Sequence, residues 1–371
     1  MKRQRALTVI SLLFLVLSCT AWAQKPDVTN AKVTELSAAQ GLKQAIAPML
    51  SQQQGPLWIG YKIPAAANER SMCCWNSLSD AKAAGKNCCL GCRLDSDNGG
   101  NFSGTDSNCA PPEPVPYAFV LLRAPGKQMN DQQISKVRVF SADCPLDFAG
   151  LPLYWLNDVK PEESIALLLG MVSPADSDHD DDKKLTNQAV MAIAMHDVPA
   201  ADQALEKLIQ PNQPERLREE VAFWAGVERS KAGFALLHKY VVNDQDDHFR
   251  EKGTFALSQS HEPGAIQDLI GMARHDVSSR VRGQAIFWLA QIGGRKEAAQ
   301  ITDAIENDPD TDVKKKAVFA LSQIHDGEGV PLLISVAKTN KNPAVRKQAI
   351  FWLGQSHDPR ALDFLEEILS R

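Results

Sequence analysis

The chain has 371 residues, 44% of them hydrophobic and 23% charged, and a formal net charge of −5. This length is enough for two or three domains, and the ordinary apolar content provides material for a core. The acidic balance argues against a nucleic-acid-binding protein, because neutralising phosphates requires a basic surface.

The first 23 residues have the three parts of a secretory signal peptide. A basic start, MKRQR, is followed by the apolar run 6–17, which is too short for a stable membrane anchor. A small-x-small site follows at 21–23, and we expect cleavage after Ala23. Because three basic residues would be lost with this leader, the net charge of the mature chain would be −8. The pattern predicts a periplasmic or secreted protein.

A lipoprotein signal is a second interpretation of the same segment. Residues 16–19 read VLSC, so Cys19 would carry a lipid anchor, although Leu17 and Ser18 fit that signal imperfectly. No later segment has the run of about 18 apolar residues that a transmembrane helix needs. Both interpretations predict export without a membrane-spanning segment in the mature chain.

Residues 24–160 are predicted to form a cysteine-rich α+β module. The segment 33–50 is predicted to be helical. The segments 56–64, 117–125 and 136–144 are predicted strands, because aromatic and β-branched residues are frequent in them. All cysteines of the mature chain precede residue 145, which sets this module apart from the C-terminal part of the chain.

The cysteines of this module have the spacing CC-x13-CC-x2-C-x16-C, with one more at position 144. In an exported protein the pattern favours disulfide bonds, and zinc is the alternative that the same spacing would suggest in the cytosol. Neighbouring cysteines do not pair easily, so Cys73 and Cys74 should have different partners. Cys144 is either a free thiol or a link between the strands and the loop. The disulfide candidates are Cys73, Cys74, Cys88, Cys89, Cys92, Cys109 and Cys144.

A 32-residue repeat characterises the rest of the chain, residues 161–371. An apolar residue opens each repeat at Leu185, Leu217, Phe249, Val281, Val313 and Val345. Further apolar residues four and eight positions later share one side of a helix that turns about 100° per residue. A second helical segment follows after a turn with Gly or Pro. Two helices per repeat predict an all-α solenoid, in which stacked hairpins share one core.

These repeats resemble the HEAT-repeat family, in particular the short repeats of the phycobilisome-lyase type, over about residues 160–371. The resemblance rests on the opening V-R-x-x-A at 281–285 and 345–349, and on an Asp or Asn six residues before each Arg or Lys. The pairs are Asn212/Arg218, Asp244/Arg250, Asp276/Arg282, Asp308/Lys314 and Asn340/Arg346. In HEAT families such groups form a polar ladder between neighbouring repeats, and the chain is similar to exported bacterial HEAT-repeat proteins.

The lyase resemblance implies bilin attachment, which we do not expect in this chain. The repeats contain no cysteine that could bind or pass on a bilin, and an exported protein is the wrong place for that chemistry. His196, His261, His325 and His357 recur at the turn after the helix, but steps of about 10 Å are too long for one metal ion. We interpret them as turn residues and predict neither a metal nor a cofactor.

A phenylalanine follows six residues after most opening positions, on the helix side away from the core stripe. A glutamine follows one turn later on a nearby face. Because this helix lines the concave side in HEAT folds, the resemblance implies an inner surface with a Phe column and a Gln column. The residues are Phe223, Phe255, Phe287, Phe319, Phe351, Gln259, Gln291, Gln323 and Gln355. Five exposed rings of ~150–250 Å² each would form a patch that monomers rarely leave unused.

Two packing interpretations concern the same helices. The Phe rings could instead stack on one another and fill the space between helices. At the next position along the chain Ala and Trp alternate, at Ala192, Trp224, Ala256, Trp288, Ala320 and Trp352. We interpret this alternation as packing at the core edge, because large and small side chains interdigitate without overpacking.

No catalytic motif is present among the common hydrolase, metalloprotease and phosphate-loop patterns, so we expect no enzyme. The prediction is an exported scaffold or adaptor that holds a protein or an extended peptide. The Phe column would contact the partner, and the Gln column would hydrogen-bond its backbone. The alternative is thiol–disulfide chemistry of Cys89 and Cys92, or metal binding, in the cysteine module, with the solenoid as a positioning arm. A structural envelope component is a third possibility.

Overall fold

The computed structural model of the chain describes residues 25–66, 72–73, 92–94, 102–103, 115–126, 133–142, 144–173, 179–324 and 327–370. Within these ranges the chain forms ten β-strands, fourteen α-helices and one 3-10 helix. None of the helices described there is both long and apolar enough to cross a membrane. The predicted leader with Cys19 lies outside the described residues, as do His325, Cys74, Cys88, Cys89 and Cys109; of Cys73 only the backbone is described.

A mixed five-stranded sheet forms the centre of the N-terminal module. The strands of the module are β1 (Val28–Thr29), β2 (Val33–Ser37), β3 (Leu57–Pro64), β4 (Met72–Cys73), β5 (Cys92–Arg93), β6 (Phe102–Ser103), β7 (Tyr117–Ala124), β8 (Lys136–Ser141), β9 (Leu146–Asp147) and β10 (Leu153–Asn157). The order in the large sheet is β2-β10-β3-β7-β8. Strands β2, β10 and β3 run parallel, and β7 and β8 continue antiparallel. The α+β prediction is confirmed for this part of the chain.

The prediction of one helix over residues 33–50 is wrong in its first part. Residues 33–37 are the strand β2, which pairs in parallel with β10, and only α1 (Leu42–Gln52) is helical. The left-handed backbone of Gly41, with φ of 127°, separates the two elements. The three predicted strands are confirmed as β3, β7 and β8, whereas β10 was not foreseen.

Both faces of the sheet are apolar, which is why its central strands read as continuous hydrophobic runs. Ile59, Tyr61 and other residues of one face join the helices in a single core. The opposite face carries Trp58 and Trp155, which pack with Cys92, Cys144 and further buried residues in a second core.

Thirteen helices follow the module in the described chain. They are α2 (Pro161–Leu169), α3 (Asp180–Ala194), α4 (Pro199–Leu208), α5 (Glu215–Glu228), α6 (Ser230–Tyr240), α7 (Asp247–Gln259), α8 (Pro263–His275), α9 (Ser279–Gly293), α10 (Ala298–Asn307), α11 (Thr311–Ser322), α12 (Val330–Thr339), α13 (Pro343–Gln355) and α14 (Pro359–Leu369). Helices α5, α7, α9, α11 and α13 start one repeat length after one another, so the repeat is confirmed as a helix pair. The opening apolar residues are buried as predicted.

The solenoid has two layers of helices with different spacing. Helices α3, α5, α7, α9, α11 and α13 each pack closely against the next of the series, whereas the helices between them contact one another much less. We call the first series the inner layer, because the side with the closer helix approach is the inner side of a curved stack. The Phe and Gln columns both belong to this layer.

A glycine permits a close approach of two helices in the inner layer. A Cβ at Gly226 of α5 would lie 2.2 Å from the carbonyl oxygen of Ala256 in α7. Gly226→Ala should therefore push the two helices apart and lower the free energy of unfolding by about 1–3 kcal/mol. Urea denaturation followed by circular dichroism measures this change.

Gly354 provides a matched control, because it has the same place in the last repeat. A Cβ there would meet no atom within 4 Å. Gly354→Ala should leave stability unchanged or raise it by up to about 1 kcal/mol, since alanine is the better helix former. Equal effects of the two substitutions would show that helix spacing does not depend on Gly226.

A buried Arg–Asp ladder joins successive repeats. The guanidinium of Arg250 donates to both carboxylate oxygens of Asp276 at 2.8 Å, and Arg282 makes the same pair with Asp308 at 2.7 and 3.0 Å. Arg218 pairs with Asp244 in the preceding step. The predicted polar ladder is thus present, but each Arg binds the Asp that belongs to the next repeat. The predicted upstream partner contributes only a backbone carbonyl to Arg250 and to Arg282, and Arg218 donates to the backbone oxygen of Ile209 in place of Asn212.

The ladder is incomplete at both predicted ends. Asn212 is exposed, and Lys314 donates instead to the backbone oxygen of Glu306. Arg346 contacts Asn340 through the backbone carbonyl at 2.8 Å. The full carboxylate–guanidinium pairing therefore covers the three central steps, where the sequence supplies Arg followed by Asp.

A buried hydrogen-bonded chain connects the module to the solenoid. Nδ1 of His196, in the turn after α3, donates to the backbone oxygen of Ala192 at 2.7 Å, so its Nε2 accepts from the Ser164 hydroxyl at 2.9 Å. Ser164 Oγ, on α2, lies 3.0 Å from the Tyr61 hydroxyl of β3. Burial raises the pKa of Tyr61 and lowers the pKa of His196 to about 4. His196 therefore lies in the turn, as predicted, and in addition it is a neutral residue that joins the module to the solenoid.

Candidate partner-binding surface

Eight rings of the inner layer form a continuous series that we call the aromatic ladder. Its members in spatial order are Trp224, Phe223, Phe255, Trp288, Phe287, Phe319, Trp352 and Phe351. Adjacent ring centroids are 4.7 to 6.0 Å apart. Phe223 and Phe255 are nearly parallel, at 19°, and so are Phe287 and Phe319, at 6°. The ladder runs along helices α5 to α13.

The five predicted Phe side chains are at least partly exposed, and four of them stack in two pairs. Phe351 is 53% exposed and Phe255 36%, and the other three are partly buried. Ring stacking, which the sequence suggested as a competing interpretation, is therefore present together with exposure. The result is an apolar strip along the inner layer that no described part of the chain covers completely.

Each pair of repeats uses one tryptophan to join the Phe rings of consecutive helices. Trp288 lies 4.7 Å from Phe255 and 5.0 Å from Phe287. Trp352 makes the equivalent contacts with Phe319 and Phe351. The tryptophans also pack against the core, and the alternating alanines are buried, so the packing interpretation is confirmed. We did not predict from the sequence that the tryptophans also join the Phe rings of consecutive helices. The Phe-Trp dipeptide in every second repeat could have indicated it.

The glutamines border the ladder on one side. Gln259, Gln291 and Gln323 are partly buried and Gln355 is exposed. The side-chain nitrogens of Gln259 and Gln323 donate to the preceding serines, Ser258 at 3.2 Å and Ser322 at 3.1 Å. Two of the four amides are thus oriented by their own helices.

A cavity of about 560 Å³ opens beside the ladder at its first helices, and we call it the ladder cavity. Phe223, Phe255 and Trp288 supply its aromatic wall, and Glu219 and Glu220 lie on its polar side. Burial raises the pKa of both carboxyl groups above the ordinary value of a glutamate. Desolvated carboxylates beside aromatic rings form a surface that a positive charge would stabilise.

One group of side chains has a spacing compatible with a metal ion. Ligand atoms of Glu215, Glu219 and His248 all lie within 4.8 Å of one another, and all three residues are partly buried. However, His248 Nδ1 is 2.5 Å from Glu215 and 3.5 Å from Glu219, and the hydrogen bond to Glu215 raises the pKa of His248. An ion pair of the imidazolium with the two carboxylates accounts for this geometry.

The described cysteines lie away from the surface. Cys92 and Cys144 are fully buried in the core on the sheet face opposite the helices. Neither of them is a thiol without a partner, so the interpretation of Cys144 as the free cysteine is wrong.

Comparison with known proteins finds a similarity to one family of repeats. Residues 298–371 match the family described as HEAT repeats, and no curated protein matches the sequence. Similar solved structures include human deoxyhypusine hydroxylase in complex with glycerol, at 16% identity and a TM-score of 0.29, covering 56% of this chain and 90% of that one. The complex of CpcE and CpcF of phycocyanin lyase from Nostoc sp. PCC7120 has 17% identity and a TM-score of 0.29, covering 57% of this chain and 83% of that one. Kap121p has 13% identity and a TM-score of 0.33, covering 57% of this chain and 26% of that one.

Proposed function

We propose, from the match of residues 298–371 to the family described as HEAT repeats, that the chain is a non-catalytic scaffold that binds a protein or an extended peptide along its inner layer. Helical repeats of this kind stack into extended surfaces that suit long partners. The proposal includes export by the N-terminal leader and a periplasmic or secreted site of action.

The aromatic ladder is the observation that supports binding most directly. Five Phe rings lie in one row, with Phe351 53% and Phe255 36% exposed, and contiguous apolar patches on the surface of a monomer are often functional. Exposed aromatic side chains are also the residues that contribute most strongly to protein interfaces. The stacked arrangement fixes the rings before binding, which lowers the entropy cost of association.

The neighbouring polar groups suit an extended backbone. A row of glutamines can both donate to and accept from main-chain groups, at the spacing of one amide per helix. An occupant lying across the helices would meet one ring and one amide in most repeats. This arrangement favours a peptide or a flat protein edge over a small molecule.

Crosslinking at the ladder tests the scaffold function. Photoreactive phenylalanine at positions 287 and 319 should capture a partner in cells, whereas the same group at positions 277 and 362 should not. Val277 and Leu362 are apolar, 91% and 59% exposed, and lie outside the ladder, so they are matched controls for exposed apolar side chains.

A pair of substitutions measures the contribution of the rings. Phe287→Ser together with Phe319→Ser should weaken binding of the captured partner at least about tenfold, since buried aromatic contacts each contribute more than about 1 kcal/mol. Val277→Ser with Leu362→Ser should leave the affinity unchanged, and thermal unfolding checks that both variants fold. Unchanged affinity of the ladder variant would contradict the proposed function.

Export is tested separately by the N-terminus of the mature protein. Mass spectrometry of the protein from a periplasmic fraction should find Gln24 as the first residue if the signal peptide is cleaved after Ala23. A lipid-modified Cys19 at the N-terminus would instead support the lipoprotein interpretation. A retained leader in the cytosol would contradict export.

Thiol chemistry in the module has less support than the scaffold function. A redox-active cysteine must be reached by its reaction partner, and Cys92, one half of the proposed Cys89/Cys92 pair, is fully buried. We propose instead that the cysteines form structural disulfides. Counting free thiols in the mature protein should give zero or one, whereas two reactive thiols or a stoichiometric metal would favour the alternative.

A further inference from the structure

Charged side chains along the aromatic ladder change sign from one end to the other. The residues three and four positions before each Phe lie one helical turn away on the same face. In order of the repeats they are Glu219 and Glu220, Glu251 and Lys252, Gly283 and Gln284, Lys315 and Lys316, and Lys347 and Gln348. The formal charges are therefore negative beside Phe223, balanced beside Phe255, absent beside Phe287 and positive beside Phe319 and Phe351.

Other charges nearby reduce this gradient without reversing it. Arg216, which also lines the ladder cavity, offsets one of the two glutamates at the first helix. Asp312 lies 3.0 Å from Lys315 and offsets one lysine at the fourth. Glu251 has Arg280 at 3.9 Å.

The His248 imidazolium lies between Glu215 and Glu219 and offsets one of these two carboxylates. In the cavity lining Lys252 offsets Glu251. One net negative charge therefore remains at the first helix, and Lys316 and Lys347 keep the last end positive.

The negative end coincides with the ladder cavity. A cationic side chain entering it would lie against Phe223, Phe255 and Trp288 and would meet Glu219 and Glu220. Aromatic faces and carboxylates together are the usual environment of a bound ammonium or guanidinium group. Glu219 lies 3.5 Å from the His248 imidazolium and Glu220 accepts from Trp224 Nε1 at 2.8 Å, so both carboxylates are held in place at the cavity wall and a cation would add to these contacts.

The positive end is formed by Lys315, Lys316 and Lys347, one helical turn before Phe319 and Phe351. Gly283 has no side chain, and Lys316 occupies the space, with its Nζ 3.3 Å from the place of a Cβ at that glycine. Lys316 and Lys347 are exposed. Among the described residues, the ion pairs do not include Lys316 or Lys347. Carboxylates of a partner could therefore reach both ammonium groups.

Building on the proposed scaffold function, we propose that the inner layer binds an extended peptide segment of bipolar charge. Its basic residue occupies the ladder cavity, its apolar centre lies on the rings, and its acidic residues lie over Lys315, Lys316 and Lys347. The five helices span about 40 Å at roughly 10 Å per helix, so the segment has about 12 residues. The charges thus fix the direction in which the partner lies.

Three synthetic peptides, each slightly longer than this segment, test the proposal with the intact protein. They share one apolar, aromatic centre and carry either two Arg at one end and two Glu at the other, four Arg, or four Glu. Fluorescence anisotropy should show that the bipolar peptide binds about 3 to 10 times more tightly than either uniform peptide at low salt, and that the advantage shrinks at high salt. Equal affinity of the three peptides would overturn the proposal.

A charge exchange gives a readout that a general loss of folding cannot imitate. A photocrosslinker at the Arg end of the bipolar peptide should label helices α5 and α7 of the unmodified protein. In the variant E219K/E220K/K315E/K316E, which keeps the same net charge, it should label α11 and α13 with similar overall affinity. Labelling that stays at the same helices would overturn the directional role of the charges.

The outcomes separate this proposal from the scaffold function on which it rests. If all peptides bind equally and Phe287→Ser with Phe319→Ser abolishes binding, the direction is wrong and the scaffold stands. If no peptide binds, the bipolar occupant is wrong, and crosslinking at positions 287 and 319 decides the scaffold function independently.

Discussion

Replacing Arg250 with alanine is expected to lower the free energy of unfolding by about 3–5 kcal/mol. The guanidinium donates to both oxygens of Asp276 and to the backbone oxygen of Asp244, and the pair is buried. Removal of the arginine leaves a carboxylate in the interior without its counter-charge, and it separates two repeats that the pair holds together. Urea denaturation followed by circular dichroism measures the loss.

Arg280 is the matched control for Arg250, since it lies near the start of the next inner helix. It also binds an aspartate, with 2.9 Å between its Nη2 and Asp247, but its side chain is 53% exposed. Arg280→Ala should cost no more than about 1 kcal/mol, because exposed pairs are solvated and screened. An equal loss of stability in the two alanine variants would contradict the idea that the buried Arg–Asp ladder couples the repeats.

Acidification from pH 7 to pH 4 is expected to lower the free energy of unfolding by up to about 3 kcal/mol through His196 alone. Burial lowers the pKa of this imidazole to about 4 in the folded protein, against an ordinary value of 6.5. Between these two pH values the unfolded chain binds a proton that the folded chain does not. Stability is therefore complete above about pH 6.5 and is lost progressively as the pH falls towards 4.

His196→Gln isolates this contribution from the other titrating groups. Glutamine can donate to Ala192 and accept from Ser164, but it does not titrate in this range. The variant should show a smaller loss of stability between pH 6.5 and pH 4.5 than the unmodified protein. His261→Gln, a substitution at an exposed histidine, should leave the pH dependence unchanged. Parallel pH profiles of the His196 variant and the unmodified protein would contradict the role of the junction.

The solenoid could be predicted from the sequence because its determinants are local and repeated. Helix starts at regular intervals follow from apolar spacing, and Asp246, Asp310 and Asn342 cap their helices with side chains that accept from the backbone. The same apolar spacing recurs in each repeat, so the helix assignment of one repeat can be checked against the others.

The N-terminal module was less predictable because its pairings are not local. Val33 pairs with Leu153, in a distant part of the chain. The local sequence around either residue does not indicate which strand will be its neighbour. The segment 33–50 is predicted as one helix, but only its second part, from Leu42, is helical. Long-range strand pairing overrides local preference in such cases.

The sequence could predict which residues form the candidate surface. It could not predict that their rings contact one another from helix to helix. The helical position of Phe287 relative to the core stripe indicated a surface ring. Whether Phe287 and Phe319 stack depends on the angle and distance between helices, which no single repeat encodes. His196 shows the same limit, because its burial depends on docking against Ser164 and the module.

The tryptophan in every second repeat makes two repeats the structural unit of the solenoid, although its helix pair recurs in every one. A chain shortened by one repeat between α7 and α11 would place Phe319 and Ala320 after Phe255, and the contact that Trp288 makes with Phe255 would be lost. A chain shortened by two repeats would place Phe255 next to Trp352 and keep the row whole. Lineages that lengthen or shorten this protein while keeping the ring contacts would therefore gain or lose repeats in doublets.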